Sequence, residues 1–217
     1  MTSRILSINC GKAVPFRGEE TSAIAKQPVV GRVRVTHQGL AGDEQADLSV
    51  HGGVDKAIHH YPQQHYGWWR DQLGEAPLLD RSGAFGENVA TDDLLEDDVC
   101  IGDRWRLGSA LVEISQGRQP CWKLDHRFGV HGVMAGVVTS RRSGWYYRVI
   151  EEGDVAAHDT LELLDRPHAD WSVTRVFGLL IAGDHKRDRH GLEALGNITA
   201  LAEPWKRRRA ALLAQSA

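Results

Sequence analysis

Short runs of alternating polar and apolar residues, separated by glycines, constrain the fold of this chain more than any other feature. Residues 32–36 and 104–107 alternate with the period of two that is typical of a half-buried strand. Residues 110–114 and 160–164 form two further runs of apolar and β-branched residues. Glycines punctuate the segments between such runs, and this density of strands and turn signals predicts a mainly β fold of the barrel or sandwich type.

Two regions break this pattern and predict helices. After Pro62, which suits a first helical position, apolar residues recur at spacings of three and four. Beyond Pro167 the pattern predicts three short helices that begin near Ser172, Arg189 and Pro204. We therefore divide the chain into a β domain over residues 1–166 and a three-helix domain over residues 170–217. So few helical residues bury little surface alone, which predicts packing on the β domain or a homodimer.

Composition restricts the class of protein. Lys and Arg number 26 and Asp and Glu 29, and a net charge of −3 does not suit a general nucleic-acid-binding protein. We interpret the basic run at residues 206–209 as a solvated helix face. Three cysteines are too few for a disulfide scaffold and favour a reducing compartment. Without a signal-peptide pattern or an apolar run of roughly 20 residues, we expect a cytoplasmic protein that binds neither membrane nor nucleic acid.

Cys121 is the residue whose setting most suggests chemistry. It ends the polar segment Ser115-Gln-Gly-Arg-Gln-Pro-Cys121, and Arg118 and Lys123 flank it. Nearby cations lower the pKa of a thiol, and a thiolate is both a nucleophile and a soft metal ligand. These residues alone leave open whether Cys121 reacts or merely packs, as most free cysteines do. The other two cysteines lie within or beside apolar runs, and we predict that they pack.

Several glycine-rich or polar loops lie where predicted strands end. The segment His51-Gly-Gly-Val-Asp-Lys-Ala57 contains two glycines, whose backbone N–H groups either approach an anion closely or simply form a turn. Ser22 and Lys26 offer a hydroxyl and an ammonium that suit a phosphate group. Asp43 and Glu44, in a glycine-containing loop, either belong to a site or cap a turn. Loops at one rim of a barrel are a common place for a ligand site.

The histidines favour no zinc site. His59, His60 and His65 form a local cluster, but the chain contains neither a C-x-x-C pair nor an H-E-x-x-H helix. His59 and His60 are adjacent, so their side chains point apart in a strand or in a helix.

Taken in order, six segments resemble the MOSC family, which is named for the C-terminal domain of molybdenum-cofactor sulfurase, and in particular its bacterial YiiM-like branch. These segments are Ser22-Ala-Ile-Ala-Lys26, Gly39-Leu-Ala-Gly-Asp43, His51-Gly-Gly-Val-Asp-Lys-Ala57, Phe85-Gly-Glu-Asn88, Gly102-Asp103 and Ser115-Gln-Gly-Arg-Gln-Pro-Cys121. That branch also carries a small C-terminal three-helix domain, so the resemblance covers nearly the whole chain. The chain has Gly117 where relatives commonly have proline, which predicts a looser cysteine loop.

The resemblance implies a MOSC-type β-barrel that binds a molybdenum cofactor, molybdopterin, through Cys121 as the ligand of the metal. It further implies an oxidoreductase that reduces N-hydroxylated compounds such as 6-N-hydroxylaminopurine, a detoxification for which a separate reductase supplies the electrons. Residues at family loop positions whose charge suits the pterin phosphate are Lys26, His51, Lys56 and Arg118. Asn88 is assigned to cofactor binding, and Glu87 and His51 are the candidate proton relays.

Two alternatives from other functional classes stay open on the sequence. In the first, the domain carries the cofactor or sulfur without turnover. In the second, it is an interaction domain in which Cys121 is packed and inert.

Overall fold

The computed structural model describes residues 1–46 and 52–215, and it shows a mixed α/β fold built on one large sheet. In chain order the strands are β1 (Thr2–Arg4), β2 (Ser7–Cys10), β3 (Val14–Arg17), β4 (Glu20–Ser22), β5 (Gln27–Pro28), β6 (Val33–Thr36), β7 (Gly39–Leu40), β8 (Ile58–Pro62), β9 (Val89–Thr91), β10 (Arg104–Leu107), β11 (Ala110–Gly117), β12 (Trp145–Glu151), β13 (Gly153–Val155) and β14 (Thr160–Asp165). The α-helices are α1 (His65–Leu73), α2 (Lys123–Phe128), α3 (Val133–Ser140), α4 (Val173–Leu180), α5 (Arg189–Ala194) and α6 (Glu203–Gln215).

Nine strands form the large sheet, in the order β1-β14-β10-β11-β12-β8-β9-β2-β5. Only the β8–β9 pair is parallel among these described strands. No strand pair within the described residues closes the sheet into the predicted barrel, so that prediction is confirmed only for the short, mostly antiparallel strands. At one edge, β5 ends on Pro28, which has no N–H group to donate to a further strand. The remaining strands form a three-stranded sheet, β13-β6-β7, and the β3–β4 hairpin.

The apolar residues of the alternating segments face the core, as the sequence predicts. In β6, Val33 and Val35 are buried while Arg34 is exposed, and in β10 Trp105 and Leu107 are fully buried. Pro62, predicted to begin a helix, instead ends β8, and α1 begins three residues later.

The three predicted C-terminal helices are present as α4, α5 and α6. Their apolar residues, such as Phe177, Leu192 and Trp205, belong to the same hydrophobic core as the sheet residues Ile114 and Val112. The helices therefore pack on the sheet of their own chain, and this packing does not require a second subunit. Both the division into two domains and the homodimer stay predictions. Within the described residues, no helix combines the length and the apolar composition needed to cross a bilayer.

The basic run at residues 206–209 is not simply a solvated face. Arg208 donates a hydrogen bond to the carbonyl of Leu180, the last residue of α4. Arg209 donates to the carbonyl of Leu192, at 2.7 Å, in the last turn of α5. These carbonyls lack partners within their own helices, and cations there also interact favourably with the helix dipole. The two arginines thus join α6 to the ends of the other two helices.

Gly117 has a packing role rather than the loosening role that the sequence predicts. It ends β11, opposite Trp145, and it faces the C-terminal helices. A Cβ atom at this position would lie 2.9 Å from Cη2 of Trp205 and 3.3 Å from Cγ1 of Val173. The absence of a side chain at Gly117 therefore allows the helices to approach the strand that leads to Cys121.

We expect Gly117→Ala to lower the free energy of unfolding by about 1–3 kcal/mol, because the added methyl group overpacks a rigid aromatic contact. The control is Gly67→Ala in α1, where a Cβ atom would have no heavy atom within 4 Å. That substitution should instead stabilise the protein by about 0.5–1 kcal/mol, since alanine favours a helix. Urea unfolding of both variants measures the difference. Equal effects of the two substitutions would contradict the packing role of Gly117.

Candidate functional site

Most of the residues that the sequence singles out line one open cavity. The predicted site residues that line it are Lys26, Lys56, Asn88, Arg118 and Cys121. They come from four separate segments of the chain, since Arg118 and Cys121 share one. His51, predicted to bind the cofactor and to relay protons, lies outside the described residues.

Cys121 lies between β11 and α2, on the segment that crosses the cavity. It is a free, partly exposed cysteine, and it lines the same cavity as Lys56 of the diglycine segment. The other two thiols are in different surroundings. Burial raises the pKa of Cys10 to about 11 and that of Cys100 to about 11. Cys121 therefore opens onto the cavity rather than being packed in the core, and its reactivity stays a prediction.

A buried carboxylate holds one wall of the cavity. Asp43 forms an ion pair with Lys26 and accepts hydrogen bonds from the backbone of Gly11, at 2.7 Å, and from Nδ2 of Asn88, at 2.9 Å. The amide oxygen of Asn88 accepts from the backbone N–H of His59 at 3.0 Å. Both predicted binding residues, Lys26 and Asn88, are thus tied to Asp43. Their direct contact with a cofactor stays a prediction.

Cations outnumber carboxylates around the cavity. Its lining includes Lys26, Lys56, Arg118 and Lys123. The lining carboxylates are Asp43, which pairs with Lys26, and Glu44, which pairs with Lys12 at 2.9 Å.

Arg118 and Lys123 are buried cations. Arg118 is 6% exposed and forms no ion pair with any residue that the structure describes. Lys123 is 7% exposed and donates from Nζ to the carbonyl of Thr21 at 3.3 Å. A buried charge without a carboxylate partner is costly, so this side of the cavity suits an anionic ligand.

The segment around Lys56 is anchored from several sides. Asp55, its neighbour, accepts from Nη2 of Arg148 at 2.7 Å and from the backbone N–H of Glu203, the first residue of α6, at 3.2 Å. The hydroxyl of Ser115 donates to the backbone carbonyl of Asp55 at 2.5 Å. Burial lowers the pKa of Lys56. These contacts fix the backbone that carries Lys56 into the cavity wall.

Glu87 is buried and does not line the cavity. Its carboxylate is fully buried and accepts hydrogen bonds from the hydroxyl of Tyr66 and from the backbone of Gly83, at 2.6 Å, and Phe85, at 3.0 Å. Burial raises the pKa of Glu87, and these hydrogen bonds oppose the rise. The contacts organise the backbone of the loop that contains Gly86. Proton relay by Glu87 stays an untested prediction.

His59 and Tyr146 line the cavity but are absent from the predicted site. His59 on β8 and Tyr146 on β12 are direct cross-strand partners, and their rings lie 5.0 Å apart. Burial, and then the charge of Arg118, lowers the pKa of His59 well below its usual range. Period-two alternation through β8 could have found His59, because His60 faces the opposite side. The three successive aromatic residues at the start of β12 contain no such signal for Tyr146.

The comparison with family models decides which family this site represents. The model of the MOSC domain matches residues 47–162, a segment that contains Lys56, His59, Asn88, Arg118, Cys121 and Tyr146. The chain belongs to the MOSC family. The resemblance to this family is thereby confirmed, and four of the six segments, from residue 51 onwards, lie within the match.

Relatives extend this similarity over nearly the whole chain. Protein YiiM of Escherichia coli strain K12 is 42% identical over 202 residues, which cover 93% of this chain and 89% of that protein. The crystal structure of YiiM from Geobacillus stearothermophilus has a TM-score of 0.80 at 32% identity and covers 97% of this chain and 98% of its own. A protein of Gibberella moniliformis named "Reductase" is 42% identical over 175 residues, 79% of this chain. Those residues are 31% of that protein, so its name describes a much longer chain.

We expect iodoacetamide to modify Cys121 before Cys10 and Cys100 in the folded, cofactor-free protein. A thiol with a pKa of about 11 is almost wholly protonated at neutral pH, whereas Cys121 opens onto the cavity. Peptide mass spectrometry over a time course measures the three rates, and a sample in denaturant gives their intrinsic values. If Cys121 were the cysteine modified most slowly in the folded protein, the interpretation of Cys121 as packed and inert would be correct.

We expect stability to fall as the pH drops below about 6.5, the ordinary histidine pKa. His60 is fully buried between Thr91 and Tyr147, and burial lowers its pKa to about 3. Between these two values the unfolded chain binds a proton that the folded chain does not, which costs about 1.4 kcal/mol per pH unit. Above them both states are neutral and the contribution vanishes.

Urea unfolding at a series of pH values tests this expectation. His60→Gln should remove the His60 share of the decline between about pH 6.5 and pH 5, while the share of His59, whose pKa burial also lowers, remains. Replacement of the exposed His131 should leave the decline unchanged. The same slope in wild type and His60→Gln would show that His60 is not the source.

Proposed function

We propose that this chain is a molybdenum-cofactor-dependent oxidoreductase that reduces N-hydroxylated compounds, including N-hydroxylated bases such as 6-N-hydroxylaminopurine. In this reaction an N–OH group takes up two electrons and two protons, becomes N–H and releases water. A separate electron-transfer reductase supplies the electrons. The observation that carries the proposal is the placement of the free thiol of Cys121 in one cavity with an excess of cations.

The side chains present suit such a cofactor. A thiolate is an appropriate ligand for a soft metal held by sulfur atoms of a pterin, and Cys121 supplies it. The pterin also carries a phosphate, for which Arg118 and Lys123 offer buried positive charge on the same cavity.

The proposal assigns each group a separate task. When bound, the cofactor supplies the two-electron exchange, while the protein binds and orients it. Cys121 ligates the metal, and Arg118, Lys123 and Lys56 bind the phosphate. Lys26 and Asn88 act through Asp43, which keeps the cavity wall in place. His51 and Glu87 remain the candidate proton relays of the sequence analysis.

The relatives support the reaction class. One is named a reductase, and the E. coli and Geobacillus proteins named YiiM match almost the full chain. A detoxifying reductase of this kind would act in the cytoplasm, where its three cysteines stay reduced.

We expect Cys121→Ala and Cys121→Ser to lose bound molybdenum and to reduce an N-hydroxylated base at least roughly 100-fold more slowly, because the metal loses its protein ligand. Protein is produced with molybdate, the metal is quantified by mass spectrometry, and turnover is measured with a chemical reductant. Cys100→Ala is the matched control, since the Cys100 thiol contacts the carbonyl of Ala169 outside the cavity. It should retain both metal and activity.

Two outcomes of this experiment would overturn the enzymatic proposal. Full activity in Cys121→Ala would remove the assigned ligand. Wild-type protein that retains molybdenum but never turns over an N-hydroxylated compound would be a carrier of the cofactor.

A further inference from the structure

Tyr146 presents a phenol to the cavity beside the assigned metal ligand. In the strand register its partners are His59 on β8 and Gln116 on β11, so all three side chains project to the same face of the sheet. The phenol and Cys121 line one cavity. None of the tasks assigned above uses Tyr146.

The surroundings of Tyr146 leave its hydroxyl proton available. The guanidinium of Arg118 lies near the phenol, where its positive charge favours the phenolate, and a guanidinium has no acceptor for the phenol proton. Within the described residues no hydrogen bond occupies the hydroxyl. A phenol has one O–H donor, and here that donor is available to a ligand.

His59 is the neutral side chain beside this donor. Nε2 of His59 has no hydrogen-bond partner in the described part of the chain, and the low pKa of His59 keeps its ring neutral. Burial raises the pKa of Tyr146, and the charge of Arg118 partly offsets the rise, so the phenol is protonated at neutral pH. The titratable groups that face Tyr146 are His59, Arg118 and Cys121.

We propose that Tyr146 donates the proton to the oxygen that leaves an N-hydroxylated substrate. This inference rests on the proposed function. As the N–O bond breaks, its bonding pair stays on the departing oxygen, and the Tyr146 proton converts this hydroxide into water. The two supplied electrons go to the nitrogen, where they form the N–H bond with the second proton. The phenolate is stabilised by the guanidinium of Arg118 and regains its proton from solvent at the cavity mouth. The second proton of the reaction comes from solvent, so the tyrosine is unchanged after each turnover.

Tyr146→Phe is the direct test, because it removes the hydroxyl and keeps the ring against His59. We expect unchanged molybdenum content, a similar KM and a kcat lowered at least roughly 100-fold, the usual scale of general acid catalysis. The ratio of the wild-type kcat to the Tyr146→Phe kcat should decrease as the pH falls from mildly alkaline to neutral, because acid from the solvent replaces the missing donor. Tyr147→Phe is the matched control: the Tyr147 hydroxyl is buried on the opposite face, 3.1 Å from Nδ1 of His60.

A titration of the cofactor-free protein gives a readout without turnover. The absorbance of tyrosinate is measured against pH for wild type and for Tyr146→Phe. The difference between the two curves reports the ionisation of Tyr146. We expect Arg118→Gln to move this ionisation to higher pH, because the cation that stabilises the phenolate is gone. An unmoved titration would overturn the Arg118–Tyr146 contact on which the inference depends.

The outcomes separate this inference from the proposed function. Wild type that turns over an N-hydroxylated base, together with a Tyr146→Phe variant of normal kcat, overturns the role of Tyr146 alone. Loss of molybdenum from Tyr146→Phe, or an equal loss of kcat in Tyr147→Phe, also overturns it, since the hydroxyl then has a structural role. Loaded wild type without turnover overturns the proposed function, and this inference with it.

Discussion

The pairing of β8, β12 and β11 is the constraint on which the candidate site depends. Its register places His59 beside Tyr146 and Tyr146 beside Gln116, on one face of the sheet. A β-bulge between Ile114 and Gln116 shifts the pairing by one residue just before β11 ends. Bulges of this kind re-aim the residues that follow them. The polypeptide then leaves the sheet at Gly117 and carries Arg118 and Cys121 along the cavity.

Buried polar groups hold this arrangement rigid. Asp43 joins Lys26 to Asn88, and Asn88 in turn fixes the backbone of His59. Glu87 does the same for the loop below, through the hydroxyl of Tyr66 and two backbone N–H groups. A buried carboxylate that loses its donors is costly, so each network strongly favours one geometry. Glu87 and Asn88 of the Gly-Glu-Asn loop thus act first as supports for the cavity.

Sequence reasoning predicted the parts of this structure that depend on local patterns. Alternation identified β6 and β10, helical spacing identified α4, and the cation-flanked setting of Cys121 identified the thiol that lines the cavity. It missed the open edge at β5, because sheet closure depends on pairings between distant strands.

It also missed Tyr146, whose position follows from cross-strand register rather than from any local motif. Gly117 was misread for a related reason. Its neighbour Trp205 lies 88 residues further along the chain, so no local signal shows that the glycine is packed.

The distribution of charge explains how an acidic chain can contain a cavity that suits an anion. The net charge of −3 gives no general attraction for polyanions such as nucleic acids. Inside the cavity, however, Arg118 and Lys123 are buried without carboxylate partners among the described residues, while Asp43 is matched by Lys26. Charge interactions are stronger in such a low-dielectric setting than at the surface. A small anion that can enter the cavity is therefore favoured over a large one that can reach only the surface, which is the selectivity that a phosphate-bearing cofactor requires.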